Sequence, residues 1–290
     1  MKFWQSLAFV ELDQMIECAK FAEDLGFYGV SFGDHLVTTQ EQVDAYLYTK
    51  DGTVFWEPQT HWPDPWVITA AIARETSCIK FLTTVYVLPM RDPFSVAKAI
   101  STAAVVSNDR VILGIGVGWQ KTEFDLTGQD YHTRGKRCDE QIDVIRKLTT
   151  GEMVEYHGEF FDFKPLMMSP GTKKPIPIFV GGDSAAAFRR AAHNDGWLGL
   201  RYTEEQIPPL LEKINAARRE AAQQNPAAAN KPFDIWLAPL MPKPDTYQRL
   251  EALGVTMVNG ANFFVDGKLV PTSLDFKKKR MEEFARQFLK

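Results

Sequence analysis

Apolar positions in this chain switch repeatedly between short continuous runs and three-and-four spacing, the patterns of buried strands and of helices with one buried face. An apolar run over 3–10 precedes a helix over 12–25, in which Leu12, Met15, Ile16, Ala19, Ala22 and Leu25 share a face and Gly26 supplies the stop. Residues 29–33 read as a second strand. After a long connection a helix opens at Asp64-Pro65, where Asp caps and Pro fits the first turn. The alternation continues with a strand over 79–87, a helix over 93–107, a strand over 111–115 and a helix over 134–149. A hairpin is predicted around 156–163. Strands over 178–180, 197–200, 235–240 and 255–258 then alternate with helices over 184–194, 204–223, 244–253 and 273–289.

Eight strand–helix units predict an α/β fold, a (β/α)8 TIM barrel with insertions after strand two (36–63) and before strand five (151–176). A doubly wound open sheet is the alternative, but its glycine-rich first turn is missing. The run Gly114-Ile-Gly116-Val-Gly118-Trp119 fails as a dinucleotide fingerprint, because Trp119 or Lys121 stands where the third glycine belongs. No Pro/Gly/Ser-rich linker divides the chain, so 1–290 reads as one domain.

Composition narrows the classes. Hydrophobic residues at 45% and charged residues at 24% are ordinary globular usage and exclude disordered and collagen-like chains. With 33 basic against 37 acidic residues and no basic stripe, a nucleic-acid partner is not expected. The one basic run, 277–280, falls in the last predicted helix and reads as a solvated face. The chain opens without a signal-peptide pattern and contains no membrane-length apolar stretch, so a cytoplasmic protein with no membrane partner is expected. Cys18, Cys78 and Cys138 read as buried small hydrophobes rather than disulfide or zinc partners. The 5 histidines form no metal-binding pair, and no G-x-S-x-G elbow is present, so neither a metal site nor a serine hydrolase is indicated.

Barrel chemistry belongs at the carboxyl ends of the strands. Asp34-His35 follows strand two, and His35 is a candidate acid/base group or ligand contact. Gly181-Gly182-Asp183-Ser184 ends a strand and opens a helix, which suits either a phosphate or a plain capped turn. Glycines 114, 116 and 118 interrupt a buried strand, suggesting a bend, tight packing or close approach of a flat ligand. The 36–63 connection is long for a structureless loop, and its Tyr46, Tyr48, Phe55, Trp56, His61 and Trp62 suit a lid over an apolar pocket or a surface loop packing its own aromatics.

Taken jointly, Ala22-Glu-Asp-Leu-Gly-Phe27, Gly33-Asp34-His35-Leu36, Asp64-Pro65-Trp66, Leu88-Pro89-x-Arg91-x-Pro93, Gly114-Ile-Gly-Val-Gly-Trp119 with Glu123-Phe124, and Arg134-Gly-x-Arg137-x-Asp139-Glu140 resemble the bacterial luciferase-like oxidoreductases. Val180-Gly-Gly-Asp-Ser184 and Asp195-Gly-Trp197 extend the resemblance, which runs from about residue 12 to 200 and is nearest the F420-dependent oxidoreductase branch. The resemblance implies a dimeric barrel that binds the deazaflavin coenzyme F420 or, in the alternative, FMN. In the FMN case the activity is that of a reduced-flavin monooxygenase using oxygen, with a separate flavin reductase as partner. It implies that Thr83, Thr84 and Val85 back the flat ring across a cis Thr84–Val85 bond and that Gly116 and Gly118 pass near it. Gly181, Gly182, Asp183 and Ser184 would receive the phosphate, and Asp34 and His35 would form an acid/base pair. Trp56, Trp62 and Trp119 are the expected substrate-pocket aromatics. Trp119 also stands where deazaflavin dehydrogenases of this family place a glutamate. The activity so implied is hydride transfer to or from a small apolar substrate. A non-catalytic flavin-binding barrel is the remaining alternative.

Overall fold

A computed structural model describes residues 1–40, 42, 54, 56–226, 231–265 and 268–289. The chain begins with β1 (Lys2–Ser6), α1 (Met15–Asp24), β2 (Gly29–Phe32), α2 (Pro65–Glu75), β3 (Lys80–Thr83), β4 (Tyr86–Val87), α3 (Pro93–Val106) and β5 (Val111–Gly116). There follow α4 (Lys121–Leu126), α5 (Arg134–Leu148), the hairpin β6 (Met153–His157) and β7 (Asp162–Met167), and β8 (Ile178–Gly181). The chain closes with α6 (Ala185–Ala192), β9 (Gly196–Leu200), α7 (Ile207–Gln224), β10 (Asp234–Ala238), α8 (Thr246–Ala252), β11 (Met257–Asn259) and α9 (Leu274–Phe288). As the sequence predicts, α2 starts on Asp64, whose Oδ1 accepts from the N–H groups of Trp66 at 2.9 Å and Val67 at 3.0 Å.

The strands are parallel and closed: β3-β2-β1-β11-β10-β9-β8-β5, with β3 pairing back to β5. β4 prolongs the third strand position along β5, which makes the structure an eight-stranded TIM-type barrel. Inside lies a layer of Trp4, Leu82, Ile112, Phe179, Leu198, Trp236 and Met257, one residue from each of seven strands. Outside, the apolar stripes of the helices complete two larger clusters, one of them formed by α1, α2 and α9 over the first strands.

Three readings of the sequence are corrected. The strand expected over 79–87 is interrupted, because the Thr84–Val85 peptide bond is cis and the partner offset slips by one residue between Leu82↔Ile112 and Tyr86↔Ile115. Across the break the Thr83 hydroxyl stands in for the ladder, donating to Gly114 O at 2.7 Å and accepting from Gly114 N at 2.9 Å. The basic run 277–280 is not one solvated face, since Lys277 is 1% exposed and donates to Glu11, Gln14 and Thr272 O. Cys18 and Cys138 are buried as expected, whereas Cys78 is exposed. Among the described residues no helix is long and apolar enough to cross a membrane.

Candidate active site

The inner layer faces continue by two residues to the carboxyl end of the barrel, because side chains alternate along a strand. Counted on from the seven layer residues, the next inward positions are Ser6, Thr84, Gly114, Gly181, Leu200, Ala238 and Asn259. Large side chains thus give way to small ones at five of the seven, Leu200 and Asn259 being the exceptions, so this end of the barrel is less filled than the layer below. Val85, just after the cis bond, forms part of its wall. A β-carbon at Gly116 would stand 2.5 Å from Val85 Cγ2, and one at Gly181 would stand 2.7 Å from Cγ1, so only glycine admits this side chain between β5 and β8. Gly118 lies past the strand with φ +79°, its carbonyl held by Arg134 Nε at 3.1 Å.

The Gly182–Ser184 turn forms the rim. Gly182 has φ +111°, a region unfavourable to residues with a β-carbon, and its carbonyl accepts from Trp197 Nε1 at 2.8 Å. Ser184 caps α6 by accepting from Ala187 N at 3.2 Å, while residues 182–186 are exposed. The remaining first-turn N–H groups and the positive end of α6 therefore face solvent, which is the donor set a phosphate needs. Asp183 accepts from the Tyr202 hydroxyl at 3.2 Å. The turn is capped, as one of the two sequence readings has it, and its exposed N–H groups leave the phosphate reading open.

Asp34 and His35 diverge at the end of β2. Asp34 is buried, with Oδ1 and Oδ2 each 2.8 Å from the Arg91 guanidinium and a further hydrogen bond from Val87 N at 2.9 Å. Burial pushes its carboxyl upward, against the pull of the Arg91 charge and the Val87 N–H. Both its oxygens are engaged, so the geometry gives Asp34 a structural partner in place of the acid/base pairing expected with His35. The imidazole of His35 instead sits 3.6 Å, through Nδ1, from Oε1 of Glu123, whose side chain is only 3% exposed. Glu123 also accepts from Leu36 N at 2.8 Å and Val37 N at 3.4 Å. In the sequence this glutamate stands inside a motif with no role assigned to it. A glutamate beside Phe124 in an otherwise polar segment carries no local sign of burial.

Aromatic rings surround His35: Trp62 at 5.0 Å between centroids, Trp56 at 5.8 Å and Trp119 at 6.4 Å. The expected pocket tryptophans are therefore brought together. Phe9, which the sequence reading passed over, joins them at 5.1 Å from Trp62 and 5.7 Å from Trp56, with its backbone at φ +67°. A bulky residue in the left-handed region costs about 1–3 kcal/mol, a strain that concentrates at functional sites. His61 is turned to another use, accepting from Leu12 N through Nδ1 at 2.9 Å. Tyr46, Tyr48 and Phe55 lie outside the described residues. Among the described residues no group of three or more His, Cys, Asp or Glu side chains is arranged to hold a metal ion.

Several charged residues of the recognised motifs act as fasteners. Arg137 donates to Pro89 O, Asp139 pairs with Arg190, and Glu140 accepts from the N–H groups of Glu159, Phe160 and Phe161 in the hairpin turn. Asp195 binds Arg146 and Ile178 N, fixing the start of β8.

A closed parallel barrel of eight strands with its helices outside defines a (β/α)8 protein, here with a capped helix start and a histidine among aromatics at its strand ends. The luciferase-like monooxygenase family model matches residues 5–239, and the chain belongs to that family of oxidoreductases. It is 34% identical to an uncharacterized protein of Mycobacterium tuberculosis over 100% of this chain and 99% of that one. It is 28% identical to the F420-dependent hydroxymycolic acid dehydrogenase of the same species, over 77% of this chain and 58% of the relative. The monooxygenase RslO1 from Streptomyces bottropensis shares the fold at a TM-score of 0.75, with 18% identity over 100% of this chain and 99% of that one.

Proposed function

We propose that this protein transfers a hydride between the deazaflavin coenzyme F420 and a small, apolar organic substrate. The observation that carries the reading is His35, a titratable side chain set among Trp56, Trp62 and Trp119 at the strand ends. The F420 dependence named for the dehydrogenase relative supports the deazaflavin branch.

The residues fit such a coenzyme. Glycines at 116 and 181 make room for the Val85 side chain at the strand ends, and the exposed Gly182–Ser184 turn offers N–H donors to a phosphate. When bound, the coenzyme supplies the hydride chemistry. The chain supplies orientation, water exclusion and a proton route. Thr84 and Val85 would back the ring, with Thr83 holding the strand break behind them through Gly114. The tryptophans exclude water and give an apolar substrate its contact surface, and His35 gives or takes the proton that accompanies the hydride. Asp34, held by Arg91, keeps the end of β2 in place.

Titrating the purified protein separately with oxidised F420 and with FMN, followed by visible absorbance and fluorescence, tests the reading. Binding of F420 and not FMN is expected. Binding of FMN alone would move the protein to the monooxygenase branch with oxygen and a flavin reductase, and binding of neither would overturn both readings. With the cofactor in hand, His35→Ala should abolish turnover across the pH range, and unchanged turnover would remove its proton role.

A further inference from the structure

We infer that Glu123 is a positioning residue that sets the tautomer of His35, keeping the proton on Nδ1 and leaving Nε2 as the basic nitrogen. The argument starts from the carboxylate oxygen. Oε1 already faces two backbone N–H groups, Leu36 N at 2.8 Å and Val37 N at 3.4 Å, and both are obligate donors. Oε1 is therefore an acceptor at this spot. At 3.6 Å, beyond hydrogen-bond range, the carboxylate charge still favours an N–H over a lone pair on the nearer ring nitrogen, His35 Nδ1.

One other described polar group reaches the ring edge. The Gln42 amide nitrogen lies 3.4 Å from Nδ1 and 3.5 Å from Nε2, nearly equidistant, so it sits beside the ring edge between them and selects neither. Trp56, Trp62 and Trp119 meet the imidazole as rings. Asp34, the adjacent charged group, is matched by Arg91. Glu123 is thus the one described carboxylate poised on the ring. Because the same oxygen holds residues 36 and 37, it also fixes where the 36–63 connection leaves β2. The orientation of the proton carrier and the anchoring of that connection share one atom.

The catalytic meaning of this tautomer rests on the proton role proposed for His35, but its measurement does not. In ligand-free protein labelled with 15N-histidine, long-range 1H–15N correlation at about pH 9, well above the ordinary imidazole range near 6.5, reads which nitrogen carries the proton. A His35→Gln spectrum assigns the resonance. Wild type is expected to show the Nδ1–H form. Glu123→Gln retains an oxygen for the same donors and should keep that form, whereas Glu123→Ala should lose it in favour of Nε2–H. An Nε2–H signal in wild type, its appearance in Glu123→Gln, or persistence of Nδ1–H in folded Glu123→Ala would overturn the inference. If the alanine variant does not fold, the wild-type and glutamine spectra still decide. A failed F420 titration leaves these spectra unchanged, so the two proposals fail separately.

Discussion

Two adjacent side chains at the end of β2 show how little separation is needed to divide structure from chemistry. Asp34 points to Arg91, fifty-seven residues along the chain, and His35 points to Glu123 in α4. Arg91 in turn lies over the Tyr86 ring at 4.1 Å, so its guanidinium is committed on both sides. Removing the Asp34 charge leaves that guanidinium, with 18% of its side chain exposed, without its counter-ion. Asp34→Asn should therefore cost about 3 kcal/mol, at the low end for breaking a buried pair because Arg91 keeps partial access to water. Urea unfolding measures this loss. A variant as stable as wild type but without turnover would instead make Asp34 a proton carrier, reversing the structural role.

At the scale of elements, helices and strands are held in register by carboxylates that accept several N–H groups at once. Glu23, near the end of α1, accepts from Ser77 N, Cys78 N, Ile79 N and the Ser77 hydroxyl, tying that helix to the turn before β3. Burial works against its ionisation, but these hydrogen bonds outweigh it and hold the carboxyl down to about 2 from an ordinary 4.5. A carboxyl depressed on folding stabilises the protein above its unfolded value, and that contribution disappears as pH falls from 4.5 toward 2. Glu23→Gln should cost about 1–3 kcal/mol at neutral pH, the range for hydrogen bonds to a charged group. Its deficit should shrink across that acid window, and a deficit that stays constant from neutral pH down to 2 would contradict this account. The same elements show what the chain made legible. Periodicity located each barrel strand and the larger helices, because burial on one face leaves a local pattern. It missed α4, whose six residues are too few for a stripe and whose Glu123 is buried by a partner eighty-seven residues away. Placing His35 and Gly181–Ser184 at strand ends needed only the fold's rule. Phe9 and Glu123 needed tertiary contacts that no local spacing encodes.

At the scale of the whole molecule, a barrel must join its first strand to its last, and here β1 pairs with β11 from Lys2↔Met257 to Trp4↔Asn259. A short ladder needs support, and α9 straps it from outside. Phe284 packs edge-on against Phe3 at 5.4 Å, and Phe27 stacks on Phe284 at 5.8 Å. Lys277 fastens the other end of the strap, with Nζ 2.5 Å from Glu11, 2.9 Å from Gln14 and 2.7 Å from Thr272 O. Its three donors meet three acceptors, which is how a lysine with 2% of its side chain exposed remains tolerable. Glu11 is two residues from Phe9, which packs on Trp56 and Trp62, so the clamp sits at the start of the segment that carries this aromatic contact. Lys277→Ala would strand Glu11, whose side chain is 24% exposed and can recover some hydration, so a loss of about 3 kcal/mol is expected. Lys279→Ala, on the exposed face of the same helix, should change stability by less than about 0.5 kcal/mol. Thermal or urea unfolding of the two variants makes the comparison, and equal losses would mean that the basic run acts as one surface after all. Loosening at Glu11 should also reach this aromatic contact, so tryptophan emission should shift in folded Lys277→Ala and stay unchanged in Lys279→Ala.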